Sequence, residues 1–281
     1  MIETILPRIL QALWQGDRFV TAHPREEMDT GNAKIIDDLM QFQIDTDIQD
    51  LFIEMVRFFK TCLIQGTSVG KLTWDVLKDK PSFINKDILD FYPQPYKKNI
   101  ADMSGVFDVF DMPIDILMDR ERMGVKYTNL DKLKNTSMGT RDEEAKQIKD
   151  RVVGKMRNYD PKRKTALIYQ YWGKVATEEQ VDLDNHFATA RYKEGLVEIA
   201  NRQFIIRQGD NPYATPQNSS GFRPFISATD YLDPDEFWGI GDIEPIRDLQ
   251  YEANEIENQT IDNIKLITNR MWKVGTTAGV D

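Results

Sequence analysis

Apolar side chains at Ile2, Ile5, Leu6, Ile9, Leu10 and Leu13 recur at helical spacing and predict a helix over 2–14, closed by Gly16-Asp17. A short extended piece over 18–24 follows. A second helical pattern begins at Ala33, Ile36, Leu39 and Met40 and continues through Leu51, Phe52, Met55, Val56, Phe59 and Leu63. The acidic stretch 45–47 breaks it into two helices, and Gly66 is a natural C-terminal stop. Alternation over 69–76, with Leu72, Trp74 and Val76 on one face, predicts a strand, and 78–81 is turn material.

Between 87 and 111, Pro93 and Pro95 forbid a continuous helix. Residues 111–118 look like a helix start with Pro113 in its first turn. The charged stretch 129–157, interrupted by Gly139 and Gly154, predicts a loop and then a surface helix. Residues 166–175, rich in Ile, Tyr and Trp, predict a strand. Two more strands are expected at 188–192 and 196–206, joined by a turn at Lys193-Glu194-Gly195. Residues 211–225, with Pro212, Pro216, Gly221 and Pro224, predict a loop.

The longest pattern lies at the end. From 242 to 271 apolar positions form a near-heptad stripe: Ile243, Ile246, Leu249, Ala253, Ile256, Thr260, Ile264, Ile267 and Met271. At ~1.5 Å per residue such a helix spans roughly 45 Å. Seven carboxylates (Asp242, Glu244, Asp248, Glu252, Glu255, Glu257, Asp262) stand against three basic residues (Arg247, Lys265, Arg270), and amides fill most other polar positions. A narrow apolar stripe on a long polar helix suits either the surface of its own domain or parallel copies of itself. Residues 275–281 carry no pattern. The order of elements predicts an α+β fold: helices with a mixed or antiparallel sheet, then a long C-terminal helix.

Composition adds limits. The 281 residues suffice for one large domain or two small ones, 41% are hydrophobic, and the net charge of −10 argues against a surface that grips nucleic acid, though not against one that lets it slide past. No apolar run reaches the roughly 20 residues needed to cross a bilayer, and the first residues lack the basic start and apolar stretch of a signal peptide. The single cysteine, Cys62, excludes an intrachain disulfide framework and suits a reducing cytoplasm. His23 and His186 have no ligand-spaced partners, and no metal or cofactor is expected.

Three motifs bear on chemistry. The stretch 66–73 (GTSVGKLT) has the wrong glycine spacing for a phosphate loop, Leu72 where a hydroxyl should hold magnesium, and the order helix–turn–strand. Gly239-Ile-Gly241 lacks the third glycine of a dinucleotide fingerprint and reads as a hinge, with Asp242 as a cap for the helix that follows. Asp230, Asp233, Asp235 and Glu236 cluster tightly enough to hold a divalent cation, or to form a solvated turn. The basic concentration Arg151, Lys155, Arg157, Lys162, Arg163 and Lys164 suits a solvated face or a subunit contact.

The run Asp233-Pro-Asp-Glu-Phe-Trp-Gly-Ile-Gly-Asp-Ile-Glu-Pro-Ile-Arg-Asp-Leu-Gln-Tyr-Glu-Ala-Asn254 resembles the approach to the stem helix in portal proteins of tailed bacteriophages, above all the short-tailed kind. There an aromatic-Gly-x-Gly turn precedes a helix with Gln and Asn four apart; here these are Phe237, Trp238, Gly239, Gly241, Gln250 and Asn254. The continuation 258–263, the exit 269–274, the loop residues 211–213 and 223–225, and the stretches 66–74 and 166–207 are similar as well.

The resemblance implies a wing-like α+β domain over 1–232, a stem helix with its lead-in turn over 233–272, and the start of a clip or a disordered tail at 273–281. It further implies a non-enzymatic ring, twelve-fold in most members, at one capsid vertex of the virion, assembled in the host cytoplasm. Its partners would be further copies of itself, double-stranded DNA passing through the channel, the terminase motor, the major capsid protein and tail or adaptor proteins, with no membrane. On that reading Asp248, Glu252, Glu255 and Asp262 line the channel, Ile246, Leu249, Ile256, Ile264 and Ile267 pack subunits together, and Gly239 and Gly241 form the stem hinge. Family members continue through a clip, a second stem helix, a channel loop and a crown, so the chain is expected to be a piece or a short version. The competing expectations are a metal-dependent phage DNA enzyme using 230–236 and a non-enzymatic head-completion adaptor.

Overall fold

The computed structural model describes residues 2–16, 19–24, 26–48, 51–135, 165–181, 188–216, 218 and 221–268. The helical spacing at the N-terminus builds α1 (Ile2–Trp14). The interrupted pattern that follows becomes α2 (Thr30–Phe42), a π-helical turn (Gln43–Asp47) and α3 (Leu51–Gln65). The extended residues before α2 are tied to it by backbone donors: Phe19 N–H to Gln41 Oε1 at 3.1 Å and Ala22 N–H to Asp37 Oδ1 at 2.9 Å. Leu6 and Leu10 of α1 bury against Leu63 of α3.

Two antiparallel sheets follow. The first has the order β2-β1-β8, from β1 (Thr67–Asp75), β2 (Lys80–Lys86) and β8 (Phe225–Thr229). The second has the order β3-β4-β5-β6-β7, from β3 (Phe91–Tyr92), β4 (Gly105–Pro113), β5 (Thr165–Val181), β6 (Ala188–Ala200) and β7 (Phe204–Asp210). Val69 and Phe225 of the first sheet pack on Phe91, Val106, Trp172 and Leu196 of the second. Further along the same face of the second sheet, Ala166, Ile168, Ala200 and Ile206 are covered by α4 (Ile114–Arg122) and α5 (Leu130–Asn135). The α+β class therefore holds, with two antiparallel sheets where one sheet was expected.

Between these apolar clusters runs a polar rung. In register across four strands lie Asp108, Gln170, Glu198 and Arg207. Lys71 of β1, itself buried, reaches across to give Nζ–H bonds to Asp108 Oδ2, at 2.7 Å, and to Gln170 Oε1. Lys86 of β2 pairs with Asp108 Oδ1 at 2.7 Å. Burial pushes the Lys71 ammonium below its usual range, and the attraction of Asp108 opposes that shift. The alternation in β1 is therefore real, but Leu72 and Trp74 face outward while Lys71 faces in, because the second sheet supplies its partners.

The turn expected at 193–195 lies elsewhere. β6 runs straight through Gly195, and the chain reverses at Asn201-Arg202-Gln203, with φ of 53° at Asn201 and 58° at Arg202. Gly195 sits in a row with Gly173 and Gly105 across three strands, where a Cβ on Gly173 would stand 2.4 Å from Gly105 Cα. Glycine here serves close strand approach, not reversal. Strands β2, β4 and β8 were not foreseen, and β4 ends at Pro113, which precedes α4 instead of sitting inside its first turn. Over 129–157 a loop and then a surface helix were expected; α5 occupies the start of that stretch, where the loop was expected, and residues 136–157, the basic residues of 151–164 and His186 lie outside the described residues. Cys62 is buried, as its place on the apolar stripe of α3 predicts, and His23 is exposed.

Asp108 balances two lysines, whereas Lys71 is one of two cations on Asp108. Asp108→Leu is therefore expected to cost about 3–5 kcal/mol and Lys71→Met clearly less, measured by urea unfolding of the two variants side by side.

Candidate self-assembly and channel faces of the C-terminal helix

The expected C-terminal helix forms as α6 (Glu244–Thr268), 25 residues without a break and with none of them buried. Residues 269–271, also expected in the helix, lie outside the described residues. Its direction is set at its root, where three glycines let backbones cross. Gly66 ends α3 with φ +82°, and a Cβ there would fall 2.2 Å from Gly239 O. A Cβ on Gly239 would lie 2.6 Å from Tyr231 O, and one on Gly241 2.7 Å from Ile64 O. Hydrogen bonds close the crossing: Gly239 N–H to Thr67 Oγ1 at 2.7 Å, Asp242 N–H to Leu63 O at 3.0 Å, and Asp230 N–H to Gly66 O at 2.9 Å. Tyr231 and Ile240 exchange backbone bonds of 3.1 and 2.9 Å. Phe237 buries its ring 6.1 Å from that of Phe91, which ties the lead-in turn to the core.

Asp242 does not cap α6. Its Oδ1 accepts from Tyr231 Oη–H at 3.2 Å, while the first helical amide, Glu244, donates to the Gly241 carbonyl and those of Ile246 and Arg247 to the Ile243 carbonyl. Asp242 is buried, and Asp230 lies near enough that burial first, and the Asp242 charge second, hold its carboxyl above the ordinary range. The 230–236 cluster is dispersed: Asp230 belongs to this root, Asp233 accepts from the Asp235 amide at 2.9 Å, and Asp235 faces Lys98 at 3.3 Å. Among the described residues no three His, Cys, Asp or Glu side chains converge to hold a metal ion. The order helix–turn–strand at 66–73 stands, with β1 starting at Thr67.

At about 100° per residue, Asp248, Glu252, Glu255 and Asp262 fall within roughly 80° of one another on α6. Ile246, Leu249, Ile256, Ile264 and Ile267 occupy a second band, centred about 120° away and also roughly 80° wide. All five are exposed, from 42% for Ile246 to 64% for Leu249. A third band, about 120° to the other side of the acidic one, carries Arg247, Asn254, Ile261 and Lys265. The sequence reading missed this flank, which a helical projection of 244–268 reveals. Leu266 is the one apolar residue on the acidic face. Asp248 and Asp262 have local cations, Arg247 at 3.4 Å and Lys265 at 3.1 Å, while Glu252 and Glu255 have no ion pair among the described residues. Gln250 Nε2–H bonds Asn254 Oδ1 at 2.9 Å along the surface, so the Gln and Asn that carry part of the resemblance are in contact.

Gly66→Ala should destabilise by more than the about 1–3 kcal/mol of left-handed strain, whereas Gly124→Ala, with φ +99° but open space around it, should cost the strain alone; urea midpoints of the two variants test the difference. Because folding raises the Asp230 carboxyl, its cost is present at neutral pH and disappears below the ordinary carboxylate range. Asp230→Asn should therefore raise the urea midpoint at about pH 7, with a gain that fades toward about pH 4. Comparison with protein-family models and with curated proteins finds no match to this chain.

Proposed function

We propose that the chain is the wing-and-stem part of a tailed-phage portal subunit, and that α6 stands beside copies of itself around a channel for double-stranded DNA. The observation that carries this reading is α6 itself, an unbroken 25-residue helix with no buried residue and three chemically distinct faces. A closed ring joins each subunit to two neighbours through two different surfaces. The apolar band and the Arg247–Lys265 flank lie symmetrically on either side of the acidic band, which suits a heterologous contact with the carboxylates turned to the bore. Ile261 on that flank offers apolar cover to the neighbour's isoleucines, and Arg247 and Lys265 add polar contacts at the rim.

The channel chemistry follows from charge. Duplex DNA carries one negative charge per about 1.7 Å of axis, and each phosphate that a basic wall neutralises is a binding contact. Unpaired Glu252 and Glu255 repel phosphate within a screening length of about 8 Å at physiological salt, so DNA passes without sticking. The two-sheet body would form the wing, joined to the stem by the glycine crossing. Terminase, the major capsid protein and tail or adaptor proteins are the partners this role requires.

Burying two isoleucines is worth about 1.5–3 kcal/mol each. Ile256→Asp with Ile264→Asp should therefore weaken self-association by at least about a hundredfold while leaving the two-sheet body folded; sedimentation velocity over a concentration series measures it, and an unchanged oligomer distribution would remove the apolar band from the interface. In a full-length ring, Lys at 252, 255 and 262 should slow DNA packaging sharply; unchanged packaging would place these side chains away from the bore.

A further inference from the structure

A cavity of about 470 Å³ lies over the polar rung, between the two sheets and α4. Its interior wall holds four cations, Lys71, Lys86, Arg120 and Arg207. Two carboxylates answer them inside. Asp108 holds both lysines, and Glu198 accepts from Gln170 and stands 3.9 Å from Arg207. A third carboxylate, Asp75, sits at the rim and accepts from the Leu77 amide beside it. The wall thus sets four cations against three carboxylates, an excess of one positive charge. Among the described residues Arg120 Nε is shut off from solvent with no hydrogen-bond partner. Arg120, Arg207, Glu198 and Tyr127 line the same cavity, and Arg120 hydrogen-bonds Tyr127. The rest of the wall includes the apolar side chains of Ile84, Phe110 and Met112.

Such an arrangement is costly without a ligand. Uncompensated buried charge destabilises by several kcal/mol unless it is paired and hydrogen-bonded. The lowered Lys71 ammonium reflects the same excess, since Lys86 adds repulsion to the effect of burial. A bare phosphate or chloride would fill only a fraction of the space.

We propose that this cavity binds a small organic phosphate monoester, its dianionic head held by Arg120 and Arg207 and its apolar or aromatic body laid along Ile84, Phe110 and Met112. The anionic head answers the excess of cations, and a pair of phosphate oxygens suits a guanidinium fork. The site is separate from the proposed assembly faces on α6, so binding is read on the chain in any oligomeric state.

The test is isothermal titration of the full chain with phenyl phosphate, inorganic phosphate and phenol, at constant ionic strength set with chloride and at about pH 7.5, where the monoester is doubly charged. The expected result is saturable one-to-one binding of phenyl phosphate, weaker binding of inorganic phosphate and none of phenol. Arg120→Gln and Arg207→Gln should each weaken phenyl phosphate at least tenfold with circular dichroism unchanged, while Lys265→Gln, on exposed α6, should leave it as it is. Absence of saturable phenyl phosphate binding by the unsubstituted chain overturns the proposal whatever the variants do. Equal affinity in both arginine variants overturns the assigned head site, and phenol binding as tightly as phenyl phosphate overturns the anionic requirement.

Discussion

The architecture depends on a backbone crossing that admits no side chain. Gly239 and Gly241 lie against the end of α3 and the start of β1, and Gly66 opposes them with a left-handed φ. Any Cβ at this junction would meet carbonyl oxygen or backbone carbon well inside contact distance. Two consequences follow. The C-terminal segment leaves the body at a fixed place, secured by the bonds of Thr67, Leu63 and Gly66. And among the described residues α6 is tied to the body at its root, since none of its residues is buried.

The body itself trades stability for a polar interior. A continuous apolar interface between the sheets would bury the same area without the desolvation of Lys71, Asp108 and Glu198, all of them buried. Instead the rung Asp108–Gln170–Glu198–Arg207 separates the cluster around Trp172 from the one around Ile168. A slip of one residue in β5 would set Tyr169 or Tyr171 opposite Lys71 and turn Gln170 to the other face, so the ion pair fixes register as well as joining the sheets.

Period decided what could be read from the chain. Where a 3.6-residue stripe was long, as in α1, α3 and α6, the helices fall where the apolar positions put them, and the acidic break before α3 is a π-helical turn. Strands β2, β4 and β8 escaped because their inward positions include Asp108 and their apolar runs are short or contain Pro81 and Pro113. Gly195 misled in the opposite way: glycine marks a turn or a close approach, and only the neighbouring strands, with Gly173 opposite, distinguish the two. Of the candidate site, the apolar stripe of α6 was legible from spacing, and the glycines at its root stood out as a Gly-x-Gly pair. The cap assigned to Asp242 was not, because Tyr231, which takes that carboxylate, is distant from it in sequence pattern and near only in the fold. Nor was the cavity, whose cations come from β1, β2, α4 and β7.

The bareness of α6 bears on how its order is maintained. Among the described residues α6 is held by its ladder of backbone bonds, by local side-chain pairs such as Lys265 with Asp262, and by the bonds of Thr260 and Thr268 back to the carbonyls of Ile256 and Ile264. Lone helices of this kind fray in water, since most helical stability in proteins comes from tertiary packing. On the proposed assembly, contact with a neighbouring copy would supply that packing, so that helix ordering and association would form a single linked equilibrium.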